Sequence, residues 1–149
     1  MAFDRAISRQ LHEEHAATLA LWGRVEQSLA AGALDAALMR EAAAALAGEI
    51  ERHFEFEESQ LFPRLAAAGE GDIAELLAEE HRAIREAAAR FLALAGAEPP
   101  PAELRPLAFE LAERLVSHVQ KEEMALLPAL DDALDEDTDR ELLDAYLSS

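Results

Sequence analysis

Four histidines stand where an amphipathic helix would carry leucine, and two of them are followed by glutamate one helical turn later. Residues three or four apart share a helix face. By that rule one face carries Leu46, Ile50, His53, Glu57, Leu61 and Leu65, and another carries Leu111, Leu115, His118, Glu122, Leu126 and Leu130. A third stripe is Leu77, His81, Ile84, Ala88 and Phe91, and a fourth is Leu11, His15, Leu19, Trp22 and Leu29. A lone core histidine is ordinarily a hydrogen-bonded packing residue. Four intrusions of one kind, two with glutamate at i+4, call for a common cause. Buried carboxylates are costly without a partner, and two in one core also repel. Metal cations remove both costs, because imidazole nitrogen and carboxylate oxygen become ligands. His53 and Glu57 can reach one centre from one helix, and His118 and Glu122 can reach it from the opposite side. A carboxylate has two oxygens, so Glu57 and Glu122 could each bridge two metals.

The neighbouring polar residues read differently. Glu58 and Glu123 lie about 100° further round the helix, which suits a solvated or supporting role better than ligation. His12 shares a face with His15, but the matching position near His81 is Ala78, so a rim role suits it as well as ligation. Trp22, Phe54 and Phe62 read as core, and the acidic run from Asp131 to Asp139 as a solvated turn.

Such a site needs helices to hold it. Alanine, leucine, glutamate and arginine dominate the chain, and all favour helix. The pattern predicts bundle helices over about 4–30, 34–66, 72–95 and 102–131, with a short helix over about 139–147. Asp72 with Glu75, and Thr138 with Glu141, form capping-box arrangements for the third and last of these. Pro63 is expected to kink or close the second helix. Pro99, Pro100 and Pro101 form a linker. Long helices on short connections pack as antiparallel neighbours, so the expected fold is all-α, an up-down-up-down four-helix bundle in one domain over 1–149. The chain also repeats. Leu11-His12-Glu13-Glu14-His15 matches Leu77-Ala78-Glu79-Glu80-His81 at an offset of 66, and Leu46 to Leu65 matches Leu111 to Leu130 at an offset of 65. One helical hairpin used twice predicts a pseudo-two-fold axis.

Composition narrows the functions. A formal charge of −18 argues against nucleic acid and against an anionic membrane surface. The absence of cysteine excludes disulfides, thiolate metal sites and iron–sulfur clusters. Met1 to His15 holds no apolar segment of signal-peptide type, and no apolar run reaches transmembrane length. A cytoplasmic location is the expectation.

As a set, these motifs resemble the hemerythrin-like, or HHE cation-binding, family. The residues that carry the resemblance are His15; His53-Phe-Glu-Phe-Glu57-Glu58 with Leu61-Phe62-Pro63; Glu80-His81; and His118-Val-Gln-Lys-Glu122-Glu123 with Pro128. The resemblance implies a non-haem di-iron centre, two Fe ions with a bridging oxo or hydroxo group, with Mn or Zn as other occupants. Carried over by position, the ligands are His15, His53, Glu57, His81, His118 and Glu122. The family's oxygen carriers have a second histidine on helix 3, where this chain has Leu77, and an aspartate at i+5 on helix 4. The pattern is therefore closer to members that bind or sense iron, oxygen (O2) or nitric oxide (NO). A di-iron oxidoreductase, peroxidase- or ferroxidase-like, is the alternative. A ferritin-type Glu-x-x-His pair is missing, since Arg9, His12, Ile50, Ala78 and Leu115 occupy the positions three before each histidine. A structural bundle without metal is the third reading. No protein partner is legible.

Overall fold

The structure is a computed structural model that describes residues 3–149, and the described residues form helices and no strands. Helix α1 is Ala6–Ala30. Helix α2 covers 36–65, beginning as Ala36–Glu49 and ending as Phe62–Leu65, with wider π-helical turns at Ile50–Phe54 and Glu57–Leu61. Helix α3 is Gly71–Leu94. Helix α4 covers 104–133, from Leu104–Lys121 through a π-helical turn at Glu122–Leu126 to Leu127–Ala133. A short α5, Glu136–Leu147, closes the chain. No described helix is long and apolar enough to cross a membrane.

The π-helical turns answer the question posed by Pro63. A proline inside a helix has no N–H to donate, and its ring meets the carbonyl four residues earlier. The turn at Glu57–Leu61 widens just before Pro63, and Leu61 relaxes to φ −102°. The chain then continues as helix instead of ending. Pro128 follows the turn at Glu122–Leu126 in the same way. Widened turns of this kind commonly sit at functional positions, and both lie beside an inward-facing glutamate. After α2, the reversal into α3 passes through Gly69 at φ 93°, where a side chain would be strained.

Cross-helix contacts set the course of the chain. Along α1 and α2, Arg24 meets Glu41, Thr18 meets Glu49 and Glu14 meets His53. Between α3 and α4, Lys121 meets Glu80 and Arg90 meets Glu110. In both pairs one partner's number falls as the other's rises. At the ends of α1, Arg105 donates to the carbonyl of Leu29, while Asp131 accepts from the amides of Asp4 and Arg5. The apolar interior falls into two clusters. One is centred on Trp22, Met39, Leu46, Phe91, Leu104 and Leu111, and the other on Ile7, Leu11, Leu61, Leu65, Leu77 and Leu126. The buried histidines and glutamates form a polar layer between them.

Several caps differ from the sequence expectations. Helix α3 begins at Gly71, so Asp72 lies inside its first turn, and Glu70 in the cap position makes no side-chain bond. Helix α5 begins at Glu136, and its cap is Asp135, whose carboxylate accepts the amide of Thr138 at 2.7 Å. The run from Asp131 to Asp139 is not merely a solvated turn. Asp139 is buried and accepts the amides of Ala6 and Ile7 at 2.8 and 2.9 Å, which caps α1 from a distant part of the chain. Helix starts leave amides without partners, and a carboxylate there also meets the positive end of the helix dipole. Asp139→Ala is expected to cost about 2 kcal/mol of folding stability, by the usual worth of a lost cap. Urea unfolding measures it, and an unchanged midpoint would refute the role.

Candidate metal centre

His15, His53, His81 and His118 come from α1, α2, α3 and α4, one from each helix, and all are buried with Glu57 and Glu122. The structure brings these six together as two four-residue groups. One is His15, His53, Glu57 and Glu122, and the other is Glu57, His81, His118 and Glu122. In each group one ligand atom per residue lies within 4.8 Å of all the others. Both glutamates belong to both groups, so each could serve either one.

The imidazoles are oriented by a ring of carboxylates outside the groups. Nδ1 of His15 lies 2.6 Å from Glu123, Nδ1 of His53 3.1 Å from Glu14, Nδ1 of His81 2.6 Å from Glu58, and Nδ1 of His118 2.9 Å from Glu80. A carboxylate accepts, so Nδ1–H donates, and this fixes which nitrogen of each neutral ring carries the proton. The Nε2 atoms then point inward. Nε2 of His15 is 2.8 Å from Glu122, Nε2 of His53 is 3.1 Å from Glu57, and Nε2 of His118 is 2.9 Å from Glu122. Phe54 stacks flat on His81 at 3.8 Å and holds that ring from the side.

Electrostatics decide what such a cluster accepts. Burial alone would lower the histidine pKa values, but the carboxylates override it. Glu122 and Glu123 push His15 up to about 9, and Glu122 and Glu80 push His118 up to about 10. His53 is raised well above the ordinary value and His81 is raised, again against burial, by the glutamates around them. Burial would raise Glu122, yet the imidazoles, His118 first, hold it well below the ordinary carboxylate range. The interior thus favours positive charge on the nitrogens and negative charge on the oxygens.

Two details mark the centre of the cluster as a place for positive charge, whether protons or a metal ion. Nε2 of His81 and Nε2 of His118 are 3.0 Å apart, and both rings already donate from Nδ1. Two lone pairs cannot face each other at that distance, so a proton on one ring or a metal ion beside both must relieve them. In addition, Glu57 Oε1 and Glu122 Oε2 are buried and make no well-aligned hydrogen bond, although each lies against an imidazole nitrogen, Nε2 of His81 at 3.2 Å and Nε2 of His118 at 2.9 Å. The donor set is imidazole nitrogen and carboxylate oxygen with no sulfur, suited to iron, manganese or zinc.

The outer carboxylates were only partly legible. Glu58 and Glu123 lie on the far side of the imidazoles of α3 and α1, each serving a helix other than its own. His12 sits at the rim, its Nδ1 2.5 Å from Glu123. Glu14 and Glu80 were not singled out by the stripe argument. Their signal was the repeat itself, since each directly precedes a histidine of the pattern and supports the histidine of the next helix. Tyr146 of α5 was not foreseen. It is fully buried, its hydroxyl donates to Glu14, and the Arg52 guanidinium lies 4.3 Å above its ring.

Comparison with curated proteins returns no match, and comparison with solved structures returns none. A family model does match, over residues 6–130, which takes in α1 through α3, most of α4 and all six clustered residues. With a buried histidine and glutamate cluster able to hold metal, and with that match across most of its length, the chain belongs to the hemerythrin HHE cation binding domain family.

Proposed function

We propose that this chain is a single hemerythrin-like domain, an up-down-up-down bundle, that carries a di-iron centre and binds or senses iron, oxygen or nitric oxide. The observation behind this reading is the pair of ligand groups that share Glu57 and Glu122. In it, His15 and His53 would hold one iron and His81 and His118 the other, with Glu57 and Glu122 available to both. Bound iron would supply Lewis acidity and one-electron redox chemistry. The chain's own contribution is orientation and exclusion of water. Glu14, Glu58, Glu80 and Glu123 lock the imidazoles from behind, and the apolar layers close the site above and below.

The test is an optical spectrum of protein reconstituted with ferrous iron, recorded before and after admission of oxygen or nitric oxide. Two irons per chain and ligand-dependent charge-transfer bands are the expected result. A chain that takes up no iron, or only one, would count against the di-iron centre.

A second reading, a peroxidase- or ferroxidase-like oxidoreductase, draws on a cavity of about 260 Å³ beside the site. Glu14, Thr18, Trp22, Glu49, Arg52, His53 and Tyr146 line it, so a small molecule could approach the His53 side. Catalytic consumption of peroxide or of ferrous iron, beyond the stoichiometry of the centre, separates this reading from sensing.

A further inference from the structure

The four outer carboxylates repeat, with Glu14 corresponding to Glu80 and Glu58 to Glu123, but the groups behind them do not. In the half built on His15 and His53, Glu14 is backed by the hydroxyl of Tyr146 and Glu123 by the half-exposed imidazole of His12. In the half built on His81 and His118, Glu58 is backed by the Arg85 guanidinium at 2.5 Å and Glu80 by the Lys121 ammonium. The nearest guanidinium in the first half, Arg52, stands off at 3.7 Å from Glu14 and lies over the Tyr146 ring. Arg114, the repeat counterpart of Glu49, adds no free charge to this half, because it is paired with Glu110 at 3.0 Å.

Charge behind a carboxylate reaches the metal in two ways. A cation bound to the carboxylate withdraws negative charge, so the imidazole it supports becomes a poorer donor. The same cation also repels a metal ion directly, and incomplete solvent screening makes that repulsion count. Both effects weaken the half flanked by Arg85 and Lys121.

We infer that the two metal positions are unequal, and that the His15–His53 position binds more tightly and fills first. This rests on the two-metal reading above. Sharing Glu57 and Glu122 would by itself make the second ion bind more weakly than the first, so a gap between two affinities is not enough. The test is which half fills first and what controls the second step.

Calorimetric titration of the full chain with Zn²⁺, under argon and after chelation, gives both affinities. His118→Ala is expected to keep the tight first step and lose the second. His53→Ala is expected to lose the tight step and leave binding weaker by about tenfold or more. Lys121→Met, at a half-exposed side chain, is expected to tighten the second step by about tenfold, within the range for supporting groups, with the first step nearly unchanged. Arg85→Gln acts in the same direction. Equal losses in the two histidine variants, a tight step lost in His118→Ala, or a second step untouched by Lys121→Met would each overturn the inequality while leaving a two-metal site. No uptake of Zn²⁺ by the unaltered chain overturns both. If a histidine variant loses its helical circular dichroism, the Lys121 and Arg85 variants decide alone.

Discussion

On the proposed two-metal reading, replacing Glu122 with alanine is expected to empty both positions together. Its Oε1 lies 2.8 Å from Nε2 of His15 and 3.8 Å from Nε2 of His53, and its Oε2 lies 2.9 Å from Nε2 of His118 and 3.6 Å from Nε2 of His81. One side chain therefore touches all four imidazoles. Glu57 touches two, with Nε2 of His53 at 3.1 Å and Nε2 of His81 at 3.2 Å. Losing a supporting partner of a ligand typically costs ten- to hundredfold in affinity, so losing a ligand shared by both ions should cost more than about hundredfold. Metal content after dialysis measures this, and full occupancy in Glu122→Ala would sink the assignment. Helicity should remain, because alanine is the best helix former. Stability of the metal-free chain should fall by less than the about 3–5 kcal/mol usual for a broken buried ion pair. The imidazoliums left behind can shed protons and become neutral, which limits the loss. Glu122→Gln keeps the volume and an acceptor. It should lose metal as well, yet unfold closer to the unaltered chain. That contrast separates ligation from packing.

How much of this site could be read from the sequence follows from what a helical repeat encodes. His53 with Glu57, and His118 with Glu122, were legible because i+4 spacing and an apolar stripe specify a face, and the face specifies burial. Their convergence on His15 and His81 followed from the repeat, since related hairpins bring related positions together. Glu14 and Glu80 were obscured because a residue adjacent to a stripe points at a neighbouring helix, and one helix's pattern does not say which. Glu58 and Glu123 looked peripheral at 100° per residue, but each lies in a π-helical turn, where a residue turns through a smaller angle. The prolines that produce those turns were visible, but as breaks in a helix rather than as widened turns that let it continue. Tyr146 and Asp139 lay beyond reach for a different reason. Both act on α1 from α5, over more than 130 positions of chain, and local patterning carries no information about such pairings.

Removing metal should make the stability of this chain depend on pH in a window where the loaded form is nearly flat. In the metal-free chain the inward charges are held by protons, with His15 at about 9 and His118 at about 10. Both values lie above the ordinary histidine value of 6.5, so the folded form binds these protons more tightly than the unfolded form. The stabilisation is complete below pH 6.5 and is lost as pH rises through 9 and 10. Between those limits each such imidazolium contributes a slope of up to about 1.4 kcal/mol per pH unit. A metal ion replaces the protons and removes the slope. It also binds the native state alone, which raises the melting temperature by linkage. The gap between loaded and chelated protein should therefore widen from pH 6.5 to pH 9, the window set by His15. The same exchange predicts that metal uptake at pH 7.5 releases protons, at least from His15 and His118. Melting curves across the window and an indicator dye in weak buffer measure the two effects. A chelated chain whose melting temperature is level from neutral to alkaline pH, or uptake with no proton release, would show that the imidazoles do not exchange protons for metal.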